Sequence, residues 1–385
     1  MENLYTVREL PNRATGCTRY CKDGRSNTCY SNSVLQTLIS IPEFRYFCLT
    51  DNTVQEGKEG KLKHLLVSFV RKYLSDNDKS YNSVRALCIR QDRFMRGLNE
   101  YAKGIFKIDG MAGTIELLRT VFDVMSPIRK LFSFNYKYDL SVLLKDNSQL
   151  DFSHTEPMIE EDISIALDVS LQTTFDKMLK KFLNIKIDEF NYLSESYRFA
   201  ESPPEKGFPV LRQMIFTSLP KYLILSLEQR MLYDYHGQEQ LKYKHVIEMP
   251  EFYDFGTRLG LKRSVLYHLN SRINYNGSHY TCDIYIRDYR YPEEEKYIWC
   301  HCNDCRITFS DKLQPDTKNF PGLFYIYKRL SPSETRRYIA AQTFSDKLRE
   351  SKDLDDHSDG SSSDSSLDLD DHSDGSSSDS SLDLD

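Results

Sequence analysis

Residues 89–281, half of the chain, contain no cysteine, and tryptophan occurs once. The nine cysteines form no paired framework, which argues against a disulfide-stapled secreted scaffold and fits a reducing compartment where a free thiol persists. No apolar run approaches the roughly 20 residues of a membrane helix, and no N-terminal apolar h-region stands out. We therefore expect a soluble chain of the cytoplasm or nucleus with no membrane partner. Glutamate is missing from the last stretch. Ser351 to Asp385 hold twelve Asp and one Lys, a net of −11, which leaves the first 350 residues at +5 within an overall −6. That division gives a mildly basic body, for which we expect no nucleic-acid partner, and a strongly acidic tail. With 39% apolar and 12% aromatic residues, the 385-residue chain has material for one large or two ordinary domains.

What is present is organised around Asn27-Thr28-Cys29-Tyr30-Ser31-Asn32-Ser33-Val34-Leu35-Gln36. Val34, Leu35, Leu38 and Ile41 recur at helical spacing and Pro42 ends the pattern, so Cys29 falls at or just before a helix start. Unpaired N–H groups there favour an anion, and the thiolate is the nucleophilic form of cysteine. A small buried hydrophobe is the plain alternative. Far downstream, Asn276-Gly277 signals a turn, and His279 follows it at the mouth of the alternating run Tyr280 to Ile286. A second strand-like run from Tyr297 ends in Asn303 and Asp304, both able to accept a hydrogen bond from an imidazole. Cysteine, histidine, then asparagine or aspartate is the order of a papain-type cysteine hydrolase. The plain alternative is a strand-end histidine followed by a turn. His268 and His301 are rival bases that lack the glycine-turn setting.

Together these stretches resemble a known family. Asn27 to Tyr30 with Asn32 to Gln36 is similar to the Cys box of the ubiquitin-specific proteases. Ser278-His279-Tyr280, preceded by Tyr267-His268-Leu269 and followed by Trp299 and Asn303-Asp304, is similar to their His box. Softer motifs fall between in order. These are Glu116-Leu117-Leu118 with Phe122-Asp123, then Ile163 to Asp168 leading into a helix over Leu171–Phe182, then Leu219-Pro220 to Leu227. Leu323-Phe324-Tyr325 resembles the closing strand, so the resemblance spans roughly residues 14 to 330. It implies an α+β, papain-like fold with a helical thumb, an antiparallel-sheet palm and a finger extension. It further implies an isopeptidase acting on ubiquitin or ubiquitinated proteins without a cofactor, with Cys29 as nucleophile, His279 as base, Asn303 as orienter and Asp304 as its substitute. Tyr30, Gly113, Glu116, Ser278 and Tyr280 would meet the substrate tail. The family's oxyanion asparagine is replaced by Gly24, with Asn27 as a nearby donor, and its tail-binding Asp by Gly113, after Met111-Ala112. Position 278, a glycine in the family, is serine here. These departures keep two other readings open: a ubiquitin-binding scaffold of the same fold, and a protease for another ubiquitin-like modifier.

From Ser133 the hydrophobic period shifts from helical towards two, through Phe134, Tyr136 and Tyr138, so residues 57–123 are expected as helices and later runs as a mainly antiparallel sheet. Asp146-Asn147-Ser148 and Ser202-Pro203-Pro204 read as loops. Cys17 with Cys21, and Cys300-His301-Cys302 with Cys305, have metal-compatible chemistry. Strand alternation sets Cys300 and Cys302 on one face and His301 on the other, so we expect packing and no metal. We expect a lead-in at 1–13, a catalytic domain over 14–335, a linker at 336–350 and a disordered tail at 351–385. The tail repeats Asp353 to Gly360 as Asp368 to Gly375 and lacks aromatics to offset chain entropy. It reads as a solvated spacer, or as a charge tail for a basic partner.

Overall fold

Helix α1 (Cys29–Ser40) is buried along its whole length, polar residues included, and the helical lobe is built around it. A computed structural model describes residues 28–53, 56–75, 81–106, 113–143, 149–151, 159–169, 174–187, 210–228, 231–233, 239–241, 247–288, 296–304, 306–315 and 321–340. Ile41 takes an extended conformation, and Pro42, which has no N–H to donate, opens α2 (Pro42–Thr50). Buried Arg45 of α2 donates to the terminal carbonyls of Ile39 and Ser40 at 2.7 and 2.8 Å, closing the end of α1. The region expected as helical over 57–123 contains α3 (Gly57–Ser75), α4 (Tyr81–Tyr101) and α5 (Thr114–Val124), and α6 (Ser126–Phe132) completes the lobe. Leu62, Leu66 and Phe69 of α3 join Leu117, Leu118, Val121 and Phe122 of α5 in the core around α1. Each such side chain stabilises the fold by about 1.5–3 kcal/mol.

Strands follow: β1 (Phe134–Leu143), β2 (Gln149–Asp151), β3 (Glu160–Asp162) and β4 (Ser164–Asp168). After α7 (Phe175–Leu183) come β5 (Asn184–Ile187), β6 (Val210–Ser218), β7 (Tyr222–Glu228), β8 (Met231–Tyr233), β9 (Glu239–Leu241) and β10 (Phe252–Asp254). The short α8 (Phe255–Arg258) leads to β11 (Leu266–Tyr275), β12 (Tyr280–Arg287), β13 (Tyr297–Asn303), β14 (Arg306–Ser310) and β15 (Gly322–Arg329). The main sheet has the order β14-β13-β12-β11-β15-β7-β4, with β10 on β11. Its pairs are antiparallel except β4 with β7. Alternation divides the side chains of this sheet between two cores. Ile273, Cys282, Ile284, Cys300, Cys302 and Ile326 face the core of α1. Leu269, Trp299, Tyr325 and Tyr327 enter a second core with Phe175 and Leu179 of α7 and Phe255 of α8.

Strands β2, β1, β6 and β5, with β3 on β1, form the sheet extension. In this cysteine-free region Phe134, Tyr136, Tyr138 and Phe216 form a chain of rings with neighbouring centroids no more than 6.3 Å apart. Aromatic packing therefore holds the root of the extension. The helical lobe, mainly antiparallel palm and extension are the α+β architecture that the resemblance implies. One helix differs from expectation: α7 begins at Phe175 rather than Leu171, after an extended Thr174.

The chain separates into two compact units after Leu330. In the second, residues 332–340 are helical, across the boundary at 335 where the sequence places the start of a linker. A reciprocal cap starts this helix: Ser331 N–H donates to Glu334 Oε2 at 2.7 Å, and Glu334 N–H to Ser331 Oγ at 3.2 Å. Among the described residues, no helix is long and apolar enough to cross a membrane. The lead-in, Cys17, Cys21, Cys305, the loops at 146–148 and 202–204 and the tail 351–385 lie outside the described residues.

Candidate active site

Cys29 is the first residue of α1, is 4% exposed, and stands where helix N–H groups have no helical acceptors. The next ring, Tyr30, is fully buried and stacks on Phe106 at 6.5 Å. Burial first, then the charge on Cys29, pushes the Tyr30 phenol up. Tyr30 is thus a core residue beside the thiol. Tyr280 is likewise enclosed, at 1% exposure and 4.3 Å from the Tyr275 ring. Both rings belong to the core that surrounds α1.

His279 is placed by its own turn. Asn276 Oδ1 accepts from Ser278 N–H at 2.9 Å, Ser278 Oγ–H at 3.1 Å and His279 N–H at 2.8 Å, while Gly277 takes φ +100°. A positive φ suits glycine, which has no Cβ to clash. The chain then enters β12, opposite Tyr275 of β11. Asn303 ends β13, and its Oδ1 lies 2.8 Å from His279 Nε2. With the Nε2 proton given to Asn303, Nδ1 carries the lone pair. Asp304 follows with φ +49°, and its Oδ2 stands 3.8 Å from the same Nε2. Asn32 Nδ2 donates to Asp304 Oδ1 at 2.7 Å and Gln36 Nε2 to its carbonyl at 3.2 Å. The helix that begins at Cys29 therefore grips the residue after Asn303.

Gly113 caps α5 without a side-chain hydrogen bond, and the exposed Glu116 bends back over it. A Cβ at position 113 would lie 1.7 Å from Glu116 Oε2, so that carboxylate occupies the space a side chain at 113 would need. Ser278 sits in the exposed turn beside His279. Gly24, Asn27, Met111 and Ala112 lie outside the described residues.

The rival histidines have other partners. His268 is packed between Phe252 and Tyr285, with Nε2 3.3 Å from Glu251. His301 Nδ1 lies 2.8 Å from Asp283 Oδ1. Asp283 also accepts from Arg272 Nε and Nη2 at 2.9 and 2.7 Å and from Asn274 Nδ2 at 2.7 Å. Burial works to raise the Asp283 carboxyl, but the bond to His301, the Arg272 charge and the Asn274 amide hold it below the usual carboxylate range. Cys300 and Cys302 face the core with sulfurs 3.7 Å apart, on the side away from His301. Contacts with Cys282 and Cys300, then burial, push the Cys302 thiol well up. Among the described residues, no group of three metal-binding side chains comes together.

Sequence reasoning named Cys29, His279, Asn303 and Asp304. It missed Asn32, Gln36, Gln91, Asp283 and Arg272 as members of the surrounding networks. The signal for Asn32 and Gln36 was available: they lie three and seven residues after Cys29, on the same side of the helix.

Comparison with known proteins bears on this geometry. A family model described as ubiquitin carboxyl-terminal hydrolase matches residues 23–327. The SAGA DUB module Ubp8/Sgf11/Sus1/Sgf73 bound to monoubiquitin contains a similar chain, with TM-score 0.62 and 14% identity over 84% of this chain and 71% of that one. The Ubp8/Sgf11/Sus1/Sgf73 module bound to ubiquitin aldehyde gives TM-score 0.60 and 14% identity over 84% and 72%. A yeast SAGA module with a mutant Sgf73 gives 0.55 and 15% over 84% and 71%. At such identities the likeness is one of fold. Comparison with curated protein sequences gives no match.

Proposed function

The chain belongs to the ubiquitin carboxyl-terminal hydrolase family, and from that premise we propose that it is a cysteine isopeptidase that removes ubiquitin from protein conjugates. The observation that carries this reading is the His279 Nε2 to Asn303 Oδ1 bond of 2.8 Å, on a strand end gripped by the helix that Cys29 begins. The solved complexes holding ubiquitin or ubiquitin aldehyde support ubiquitin as the substrate class.

In this mechanism His279 Nδ1 takes the Cys29 thiol proton, and Asn303 keeps the ring in that tautomer. The thiolate attacks the carbonyl carbon of ubiquitin's last glycine. A C–S bond forms while the carbonyl electrons move to oxygen. The tetrahedral intermediate collapses, the C–N bond breaks, and His279 gives its proton to the departing lysine amine. Water, deprotonated by His279, then attacks the thioester, releasing the ubiquitin carboxylate and regenerating the thiol. The Cys29 backbone N–H at the helix start is the donor we assign to the oxyanion. Gly24 adds no side-chain donor, and the loss of one such donor lowers turnover about 10²–10³-fold. A scaffold of low or no turnover is the second reading, and the glycines at 24 and 113 favour it.

Ubiquitin carrying a C-terminal electrophile tests both, with the product weighed by intact mass spectrometry. We expect a one-ubiquitin adduct that Cys29→Ala abolishes. No adduct from folded protein overturns the ubiquitin protease reading, and the same probe built on other modifiers then decides between scaffold and altered specificity.

A further inference from the structure

Gln91 lies in α4, on the face that buries Leu87, Cys88, Phe94, Met95 and Leu98. A polar residue in an apolar stripe needs a reason. Its Nε2 donates to Asn32 Oδ1 at 2.6 Å, while its own Oε1 is buried with no hydrogen-bond partner among the described residues. Packing alone does not explain this, because methionine or leucine would fill the space without stranding a carbonyl oxygen.

The bond has a directional consequence. The Asn32 amide has a donor end and an acceptor end, and only the donor end can bond a carboxylate. By occupying Oδ1, Gln91 turns Nδ2 toward Asp304, the contact observed at 2.7 Å. Gln91, Asn32 and Asp304 are 4%, 1% and 7% exposed, so little solvent can replace a missing partner. Asp304 is also held by Gln36 and adopts φ +49°, uncommon for a non-glycine residue. Its fixed backbone sets Asn303 Oδ1 at 2.8 Å and its own Oδ2 at 3.8 Å from one imidazole nitrogen.

We propose that Gln91 is a positioning residue for the reaction, acting through Asn32 and Asp304 to fix the acceptors of His279. The proposal rests on the cysteine-hydrolase reading of Cys29 and His279 but not on ubiquitin as the substrate. Helix α4, remote in sequence from both motifs, thereby sets the imidazole orientation.

The test uses the full chain and iodoacetamide. Alkylation of Cys29 is followed by peptide mass mapping across pH, beside hydrolysis of a fluorogenic ubiquitin C-terminal substrate. In the wild type we expect Cys29 to react at pH values below those of an ordinary thiol. Gln91→Met shifts that profile upward and lowers kcat about tenfold with KM unchanged, an effect of the size expected for coupled neighbours. Thermal unfolding checks that the variant folds, and Gln91→Leu replaces it if it does not. In an Asp304→Asn background, where the acceptor charge is already gone, Gln91→Met costs nothing further. A wild-type profile typical of a free thiol, a profile unmoved by Gln91→Met, or additive losses in the double variant each overturn the proposal. Wild-type Cys29 that gives the shifted profile but no ubiquitin hydrolysis overturns the substrate assignment and leaves the relay to be judged by alkylation alone.

Discussion

His279 and His301 meet the same pair of strands, yet their surroundings suit opposite tasks. His279 hydrogen-bonds a neutral amide at 2.8 Å and keeps the Asp304 carboxylate at 3.8 Å. His301 bonds directly to a carboxylate, and that carboxylate is buried and shared with Arg272 and Asn274. An amide orients an imidazole without adding charge, which suits a ring that must gain and lose a proton during a reaction. The Asp283 cluster instead ties β11, β12 and β13 together through charge. The lesson is that a carboxylate beside a histidine does not by itself mark a candidate base; what else the carboxylate holds must be read with it.

The widest expected gap is in activity. His279→Ala should lower kcat/KM on a ubiquitin C-terminal substrate by about 10²–10⁴-fold, the usual contribution of a positioned acid-base group. His301→Ala should stay within about twofold, as expected for a partly exposed site away from the chemistry. Equal losses would erase the contrast. Next comes stability. Asp283→Ala removes the carboxylate that balances the buried Arg272 charge, and urea unfolding should show a loss of about 3–5 kcal/mol. A change below 1 kcal/mol, well short of that range, would show that solvent reaches the cluster. The smallest effect is in acid. The Asp283 carboxyl is held low in the fold, so its contribution is present above the unfolded value of about 3.9 and is lost as pH falls through the folded value. The stability difference between wild type and Asp283→Asn should therefore shrink below about pH 4. A difference that stays constant into stronger acid would deny the carboxylate this role.

Much of the local structure was legible because its signals are short-range. The spacing from Val34 to Ile41 with Pro42 marks α1, and Asn276-Gly277 marks the turn that presents His279. The alternation of Trp299 to Asn303 puts Asn303 on the His301 side of β13, away from the buried cysteines. Other features depend on contacts between distant residues and leave no such trace. Gln91 meets Asn32 across 59 positions, and nothing in the local pattern of α4 identifies its partner. Arg272 and Asp283 are a pair only because β11 and β12 align them in register. The parallel pairing of β4 with β7 is set by the path of the chain between them. The burial of Tyr30 and Tyr280 is likewise not legible, because a place beside Cys29 or His279 in the sequence does not say which way a ring turns.

All twelve residues of α1 are buried, and Asn32 and Gln36 reach the strand end beside His279. Such a helix offers selection no outward face on which changes pass unnoticed. A substitution there meets the core, the surroundings of Cys29 or the support of the strand end beside His279. The stretch around which the sequence is read is thus also one with little room for change, because enclosure leaves each of its side chains a neighbour to disturb.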